Sequence, residues 1–184
     1  MTAQFVPPLA RTLPALVLEA ASRHGERVFI QDGDTRIAYA DLPARVFAVT
    51  RALIAHGIEP GDRVAIWAPN RAEWILAALG IHCAGAAMVP INTRMKGAEA
   101  ADIIERSHAR ILFVVDRFLD IDYPAMLAGC RPATLEKVVA IGEAGAHADT
   151  DWKRFLHEGE GVGEAEARVR DRKSTRLNSS HLVI

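Results

Sequence analysis

Asp32 and Asp34 flank a single glycine, a separation at which two carboxylates could share acid and base duties. The same Asp-Gly-Asp is what a tight hairpin turn between two strands requires, and that turn explains both side chains. Seven histidines and two cysteines are numerous enough for a metal centre. Their spacing does not suit one: His82 and Cys83 are adjacent and point to different parts of a helix surface, while His24, His56, His108, His147 and His157 fall at predicted helix ends or in loops. No metal is expected. Gly159, Gly161 and Gly163 alternate as in a phosphate cradle, but such a loop needs a strand before it and a helix after it, so they read as linker. Trp67 and Trp74 could line an apolar pocket, yet they sit in the most apolar predicted strand and helix and read as core. Asn70 follows a strand end, where open α/β sheets hold ligands, and a helix-capping role accounts for it equally well.

The stretch that must position these residues is Gly61 to Asn92, a strand, a turn, a helix and a second strand in direct succession. Arg63 to Ala68 is nearly continuous in apolar residues, the pattern of a strand covered on both faces. Pro69 stops it. Asn70 is placed to cap the next helix and Glu73 to reach back in a capping box. From Trp74 to Cys83 the apolar residues go almost all the way round, which predicts a helix buried within the domain. Gly85 ends it where a left-handed residue is wanted, and Ala87 to Ile91 returns to the sheet. One such βαβ unit demands a right-handed crossover.

Around it the periodicity predicts a loose arm over residues 1–11, then a helix over Leu13–His24 capped by Thr12 and closed by Gly25. Val28–Gln31 and Arg36–Tyr39 read as an antiparallel hairpin. Asp41 is expected to cap a helix whose Leu42, Val46, Val49 and Leu53 form one stripe. A helix around Ala98–Ser107 and a strand at Ile111–Val115 complete βαβαβ; Tyr123–Gly129 reads as a short helix, Leu135–Ile141 as a strand, and Asp151–Leu156 as one or two helical turns. There is no repeat of 20 to 50 residues.

The 184 residues carry 22 Lys plus Arg against 23 Asp plus Glu, a formal charge of −1 that offers no field for nucleic acid, so no nucleic-acid partner is expected. Half of the residues are apolar, the balance of a globular protein. Cys83 and Cys130 make no disulfide framework, which fits a reducing cytoplasm. The first residues lack a basic head followed by a long apolar run, and no stretch reaches the length of a membrane span. Peripheral contact with a membrane stays open.

Four stretches carry a resemblance. Ile37-Ala38-Tyr39-Ala40-Asp41-Leu42, the run His56-Gly57-Ile58-Glu59-Pro60-Gly61-Asp62-Arg63-Val64-Ala65-Ile66, the run from Gly80 to Asn92, and Asn92-Thr93-Arg94 with Glu99 opening the next helix occur in the order and spacing of the AMP-dependent synthetases. The chain resembles that adenylate-forming family, and more narrowly the acyl-CoA synthetases acting on fatty or sterol-ring-derived acids, over roughly residues 12–158. The resemblance implies an α/β fold: a partial amino-terminal subdomain with a mostly parallel sheet, flanking helices and an amino-terminal β-hairpin. It implies ATP, magnesium and coenzyme A as cofactors of the full-length enzyme and a small carboxylic acid as substrate, converted to an acyl-adenylate and then to an acyl-CoA. Arg94 matches a position that contacts the phosphate of coenzyme A in some CoA ligases, a task that suits a guanidinium fork. An exposed loop arginine or a helix-flanking charge explains it too. The family's Gly/Ser/Thr-rich loop with its Lys, its Thr-Glu pair, its ribose-binding Asp and its catalytic Lys have no counterpart in the sequence. No catalytic residue is therefore assigned, and the chain alone is expected to be inactive and to bind none of the cofactors tightly.

Residues 159–170 read as linker. Asp171 to His181 resembles, residue for residue, the translation of a widely used sequencing adapter, which makes residues 171–184 non-native and implies a natural sequence that continues past about residue 170. The alternative function is a free-standing α/β binding or interaction module without catalysis. A flavodoxin-like nucleotide binder is disfavoured because no glycine loop follows a strand.

Overall fold

A computed structural model describes residues 9–163 together with 165 and 167. The chain opens with α1 (Leu13–His24), followed by β1 (Val28–Asp32) and β2 (Thr35–Ala38), an antiparallel hairpin. Thr12 caps α1 by accepting from the Ala15 N–H at 3.4 Å. The arm is not loose throughout: the Glu19 carboxylate accepts the Leu9 and Ala10 amides at 3.1 and 2.8 Å. Both bonds, with Arg23 nearby, hold that carboxyl below the usual range.

α2 (Leu42–Ala55) buries the expected stripe of Leu42, Val46, Val49 and Leu53. Asp41 stands at its N-cap in a helical conformation and makes no side-chain cap bond, which corrects the expectation for it. There follow β3 (Arg63–Trp67), α3 (Ala72–Cys83), β4 (Ala87–Pro90), α4 (Gly97–Ser107) and β5 (Ala109–Val115). Gly85 ends α3 with φ of 79°, a left-handed conformation in which a side chain would be strained. Beyond β5 come a small hairpin, β6 (Arg117–Phe118) and β7 (Ile121–Asp122), then α5 (Tyr123–Ala128), β8 (Lys137–Ile141), β9 (Thr150–Asp151) and α6 (Trp152–Glu158). The β6–β7 hairpin and β9 are additions to the sequence reading.

The main sheet is parallel, in the order β4-β3-β5-β8-β9. The chain moves from β3 outward to β4, then crosses back over β3 to β5 and onward to β8. Right-handed crossovers therefore put α3 and α4 on opposite faces. One layer holds α1, α2 and α3 against one another with α6 packed on α2, and the other pairs α4 with α5. Val64, Ala65, Ile66 and Trp67 are fully buried between them, as their unbroken apolar run predicts. Thr50, buried in α2, donates to the Gly80 carbonyl of α3 at 3.2 Å and fixes that helix pair.

Gly159, read as the first residue of a linker, is buried instead. A Cβ there would lie 2.4 Å from the Ala52 backbone nitrogen of α2, so glycine is what lets the end of α6 approach that helix. Ala167 is also fully buried. Residues 171–184 lie outside the described residues. No helix among the described residues is long and apolar enough to cross a membrane.

Candidate functional site

The carboxyl ends of β3, β4, β5 and β8 open on one edge of the sheet. The reversal of strand order places a crevice between β3 and β5, the position at which open α/β sheets bind ligands.

The amino-terminus of α3 points to this edge and could hold an anion on its unpaired amides. It is already filled. Asp32 Oδ2 accepts the Ala72 N–H at 2.9 Å, so the hairpin turn caps the helix from forty residues away in sequence. Asn70 is exposed and the N-cap position belongs to Arg71, which corrects the assignment of Asn70 as cap. Glu73 does not close a capping box; it pairs with Arg71 at 2.8 Å, and Arg71 also donates to the Ile141 carbonyl at 3.3 Å. Asp32 and Asp34 therefore form no acid–base pair, since the first is a cap and the second a turn residue.

Beside this helix end lies an open cleft of about 770 Å³ lined by Glu73, Asp116, Glu143, Asp151, Lys153 and Arg154, among others. Asp151 is committed to capping α6 through the Arg154 amide at 2.9 Å, and Arg154 leans away to Glu158 at 3.4 Å. With Glu73 paired to Arg71, what remains is Asp116 and Glu143 beside Lys153, which has no hydrogen-bond or ion-pair partner among the described residues, so the cleft carries charge of both signs. Among the described residues no group of three or more His, Cys, Asp or Glu could hold a metal ion.

The loop after β4 is different in sign and in construction. Asn92 Oδ1 accepts the Arg94 amide at 2.9 Å and the Asn92 carbonyl accepts the Met95 amide at 3.0 Å, a tight local turn. Glu99 then accepts the Lys96 amide at 2.8 Å and opens α4. Arg94 stands exposed on this turn, and among the described residues its guanidinium has no hydrogen-bond or ion-pair partner. A fork of donors, always charged and held on an ordered turn at a ligand-binding edge, is suited to a phosphate. Trp67 is core, as expected, and Trp74 packs partly buried against it. Asp116 and Glu143 were not singled out from sequence; the position of Asp116 directly after the apolar run of β5 was the available signal.

At the opposite edge of the sheet the basic groups are paired. Arg110 donates to Glu136 at 2.7 and 2.9 Å, to Asp62 at 2.6 Å and to the Gly57 carbonyl at 2.8 Å. These carboxylates raise the Arg110 pKa further above its ordinary value. Arg63 caps the last turn of α4 through the Ser107 and His108 carbonyls at 2.6 and 3.3 Å. His56 stacks on Phe155 and meets Glu158 at 2.8 Å; burial, then the charge of Lys137, lowers its pKa against the opposing pull of Glu158.

The family model for AMP-binding enzymes matches residues 17–178. The chain is 38% identical over 164 residues to the 3-[(3aS,4S,7aS)-7a-methyl-1,5-dioxo-octahydro-1H-inden-4-yl]propanoyl:CoA ligase of Rhodococcus jostii, covering 86% of this chain and 32% of that protein. It is 38% identical over 157 residues to the ligase of the same name from Mycobacterium tuberculosis, covering 85% and 31%. The chain thus spans about a third of the length of these curated relatives. Among solved structures, the anthranilate CoA ligase AuaEII in complex with anthranoyl-AMP superposes with a TM-score of 0.71 at 24% identity, over 82% of this chain and 29% of that one, a likeness of fold.

Proposed function

The chain belongs to the AMP-binding enzyme family, and on that premise we propose that it is the amino-terminal part of an ATP-dependent acyl-CoA ligase. The whole enzyme would join a carboxylic acid to ATP with magnesium bound, release pyrophosphate, and pass the acyl group from the adenylate to the thiol of coenzyme A. The observation that carries this reading is the 38% identity to CoA ligases along almost the whole chain. Those two relatives are named for a propanoic acid borne on a fused ring system, which favours a ring-bearing acid as substrate.

Among the described residues, the fit to these groups is uneven. The triphosphate finds no free helix terminus, because Asp32 fills the α3 amino-terminus, and the cleft beside it sets Asp116 and Glu143 against one cation unpaired among the described residues, Lys153. A phosphate of coenzyme A fits Arg94, whose guanidinium is exposed and unpaired among the described residues. We therefore assign Arg94 to that phosphate and the adenylation chemistry to residues outside this chain.

Two experiments test the reading. The chain incubated with ATP, magnesium, a fatty or ring-bearing acid and coenzyme A should release no pyrophosphate above background, and release would overturn the placement of the chemistry. Genomic DNA beyond codon 170 should encode a Gly/Ser/Thr-rich loop ending in Lys in place of residues 171–184. A native reading frame that ends at Ile184 would contradict it.

A further inference from the structure

Two buried aromatic residues direct their only polar atoms at consecutive carbonyls of the loop that carries Arg94. The Trp67 indole N–H, at the end of β3, donates to the Asn92 carbonyl at 3.1 Å, and the Tyr123 hydroxyl, at the start of α5, donates to the Thr93 carbonyl at 2.9 Å. The rings are 0% and 1% exposed and meet edge-on with centroids 4.8 Å apart. Phenylalanine at either site would supply an aromatic ring without a polar atom to satisfy, so the polar tips serve the loop and not the core. The last backbone bond joining β4 to β3, Ile91 N–H to the Ile66 carbonyl at 2.8 Å, lies just before the loop. From Asn92 onward these two aromatic donors take over the role of the sheet.

We propose that Trp67 and Tyr123 are positioning residues that fix the Asn92–Thr93 backbone, so that Arg94 is presented in one orientation to the phosphate it binds. The inference rests on the reading of Arg94 as a phosphate contact. It requires that the loop be rigid before any ligand arrives, since a preset donor loses less freedom on binding.

Amide hydrogen exchange on the unaltered chain is the first test. The Arg94 and Met95 amides should exchange far more slowly than those of Glu143 and Ala144 in the loop after β8, and equal rates would overturn the proposal. Tyr123→Phe removes one oxygen and keeps the ring. It should speed exchange at Arg94 and Met95 about tenfold with β3 and β5 unchanged. Equal acceleration throughout β3 and β5 would mean a structural role alone and would overturn it. The second readout is the side-chain N–H resonance of Arg94 during titration with coenzyme A up to about 10 mM, a range in which the weak binding expected of this chain registers. Tyr123→Phe should weaken the response severalfold and Arg94→Gln should abolish it. An unchanged response in Tyr123→Phe overturns the positioning role and leaves the phosphate reading standing. Slow exchange with no response in the unaltered chain overturns the phosphate reading and leaves the rigid loop standing.

Discussion

The two edges of the parallel sheet are built on opposite principles. At the amino-terminal edge Arg63 and Arg110 are fully engaged by carbonyls and carboxylates that join α2, α4, β5 and the start of β8. At the carboxyl-terminal edge Arg94 is held up by its backbone while its charge is unpaired among the described residues. There too the β6–β7 turn places Leu119 and Asp120 at φ of 50° and 60°, with Leu119 exposed. Left-handed conformation at two successive non-glycine residues costs about 1 kcal/mol each. The lesson is a division of labour. The segment from His56 to Ile66, which carries much of the family resemblance, is a clamp that secures the fold, whereas the unpaired guanidinium of Arg94 lies at the edge where a ligand would bind; left-handed residues occur at both edges, with His108 at φ of 53° beside Arg63.

The sharpest way to break that comparison is to make the same change at both ends. Arg110→Ala removes the bonds to Asp62, Glu136 and the Gly57 carbonyl, leaves Asp62 the Glu59 amide at 2.9 Å, and should cost about 1 kcal/mol, the pair with half-exposed Glu136 adding little. Arg94→Ala should alter stability by less than about 0.5 kcal/mol, because among the described residues its side chain contacts no partner. Urea denaturation of both variants checks this, and equal losses would erase the distinction between the edges.

Of similar size is Asp32→Ala, which removes the cap of α3 from across the fold and should cost about 1 kcal/mol. Asp34→Ala, one residue beyond the turn glycine, should cost less, since it caps no helix. Asp120→Gly should go the other way and stabilise the chain by up to about 1 kcal/mol by relieving the left-handed turn. A loss on that substitution would mean the turn is not strained.

The pH dependence near neutrality comes from one histidine of the clamp, His56, and one of α3, His82. Burial, and for His56 also the charge of Lys137, lowers the pKa of His56 and of His82 in the folded chain. The unfolded chain, with ordinary histidines, then binds protons more readily. The stabilisation these groups give is complete above about pH 6.5 and is lost as pH falls from there through their folded pKa values. His56→Gln with His82→Gln should flatten the fall in thermal midpoint between pH 6.5 and 5, and an unaltered slope would exclude both histidines as its source.

Much of this architecture was legible in the sequence because it is local or periodic. The bounds of α1, the stripe of α2, the buried run of β3 and the βαβαβ order follow from apolar spacing and from Thr12, Pro69 and Gly85. Two of the failures, at Asn70 and Gly159, arise because the deciding partner lies elsewhere in the fold. Asn70 has the right type for a cap but lies one residue outside the N-cap position, Asp32 bonds the first amide of the helix instead, and no local pattern announces a cap from another element. The β6–β7 turn is a different case: Asp120 is its one turn-forming residue, and strands of two residues each are too short for an alternating pattern to show. Gly159 looks like linker until α2 is seen against it. Of the candidate site, the proposal for Arg94 starts from family resemblance, whereas the bonds from Trp67 and Tyr123 to its loop join three segments that only the sheet brings together.

The central claim, that this edge is prepared for phosphate while the opposite edge is closed, is tested most directly by following the arginine side-chain N–H resonances during titration with coenzyme A, using phosphate-free pantetheine as control. The account predicts that Arg94 moves with coenzyme A and not with pantetheine, while Arg63 and Arg110 stay still with both. A response spread evenly over all three arginines, or one at Arg94 that pantetheine reproduces, would contradict it.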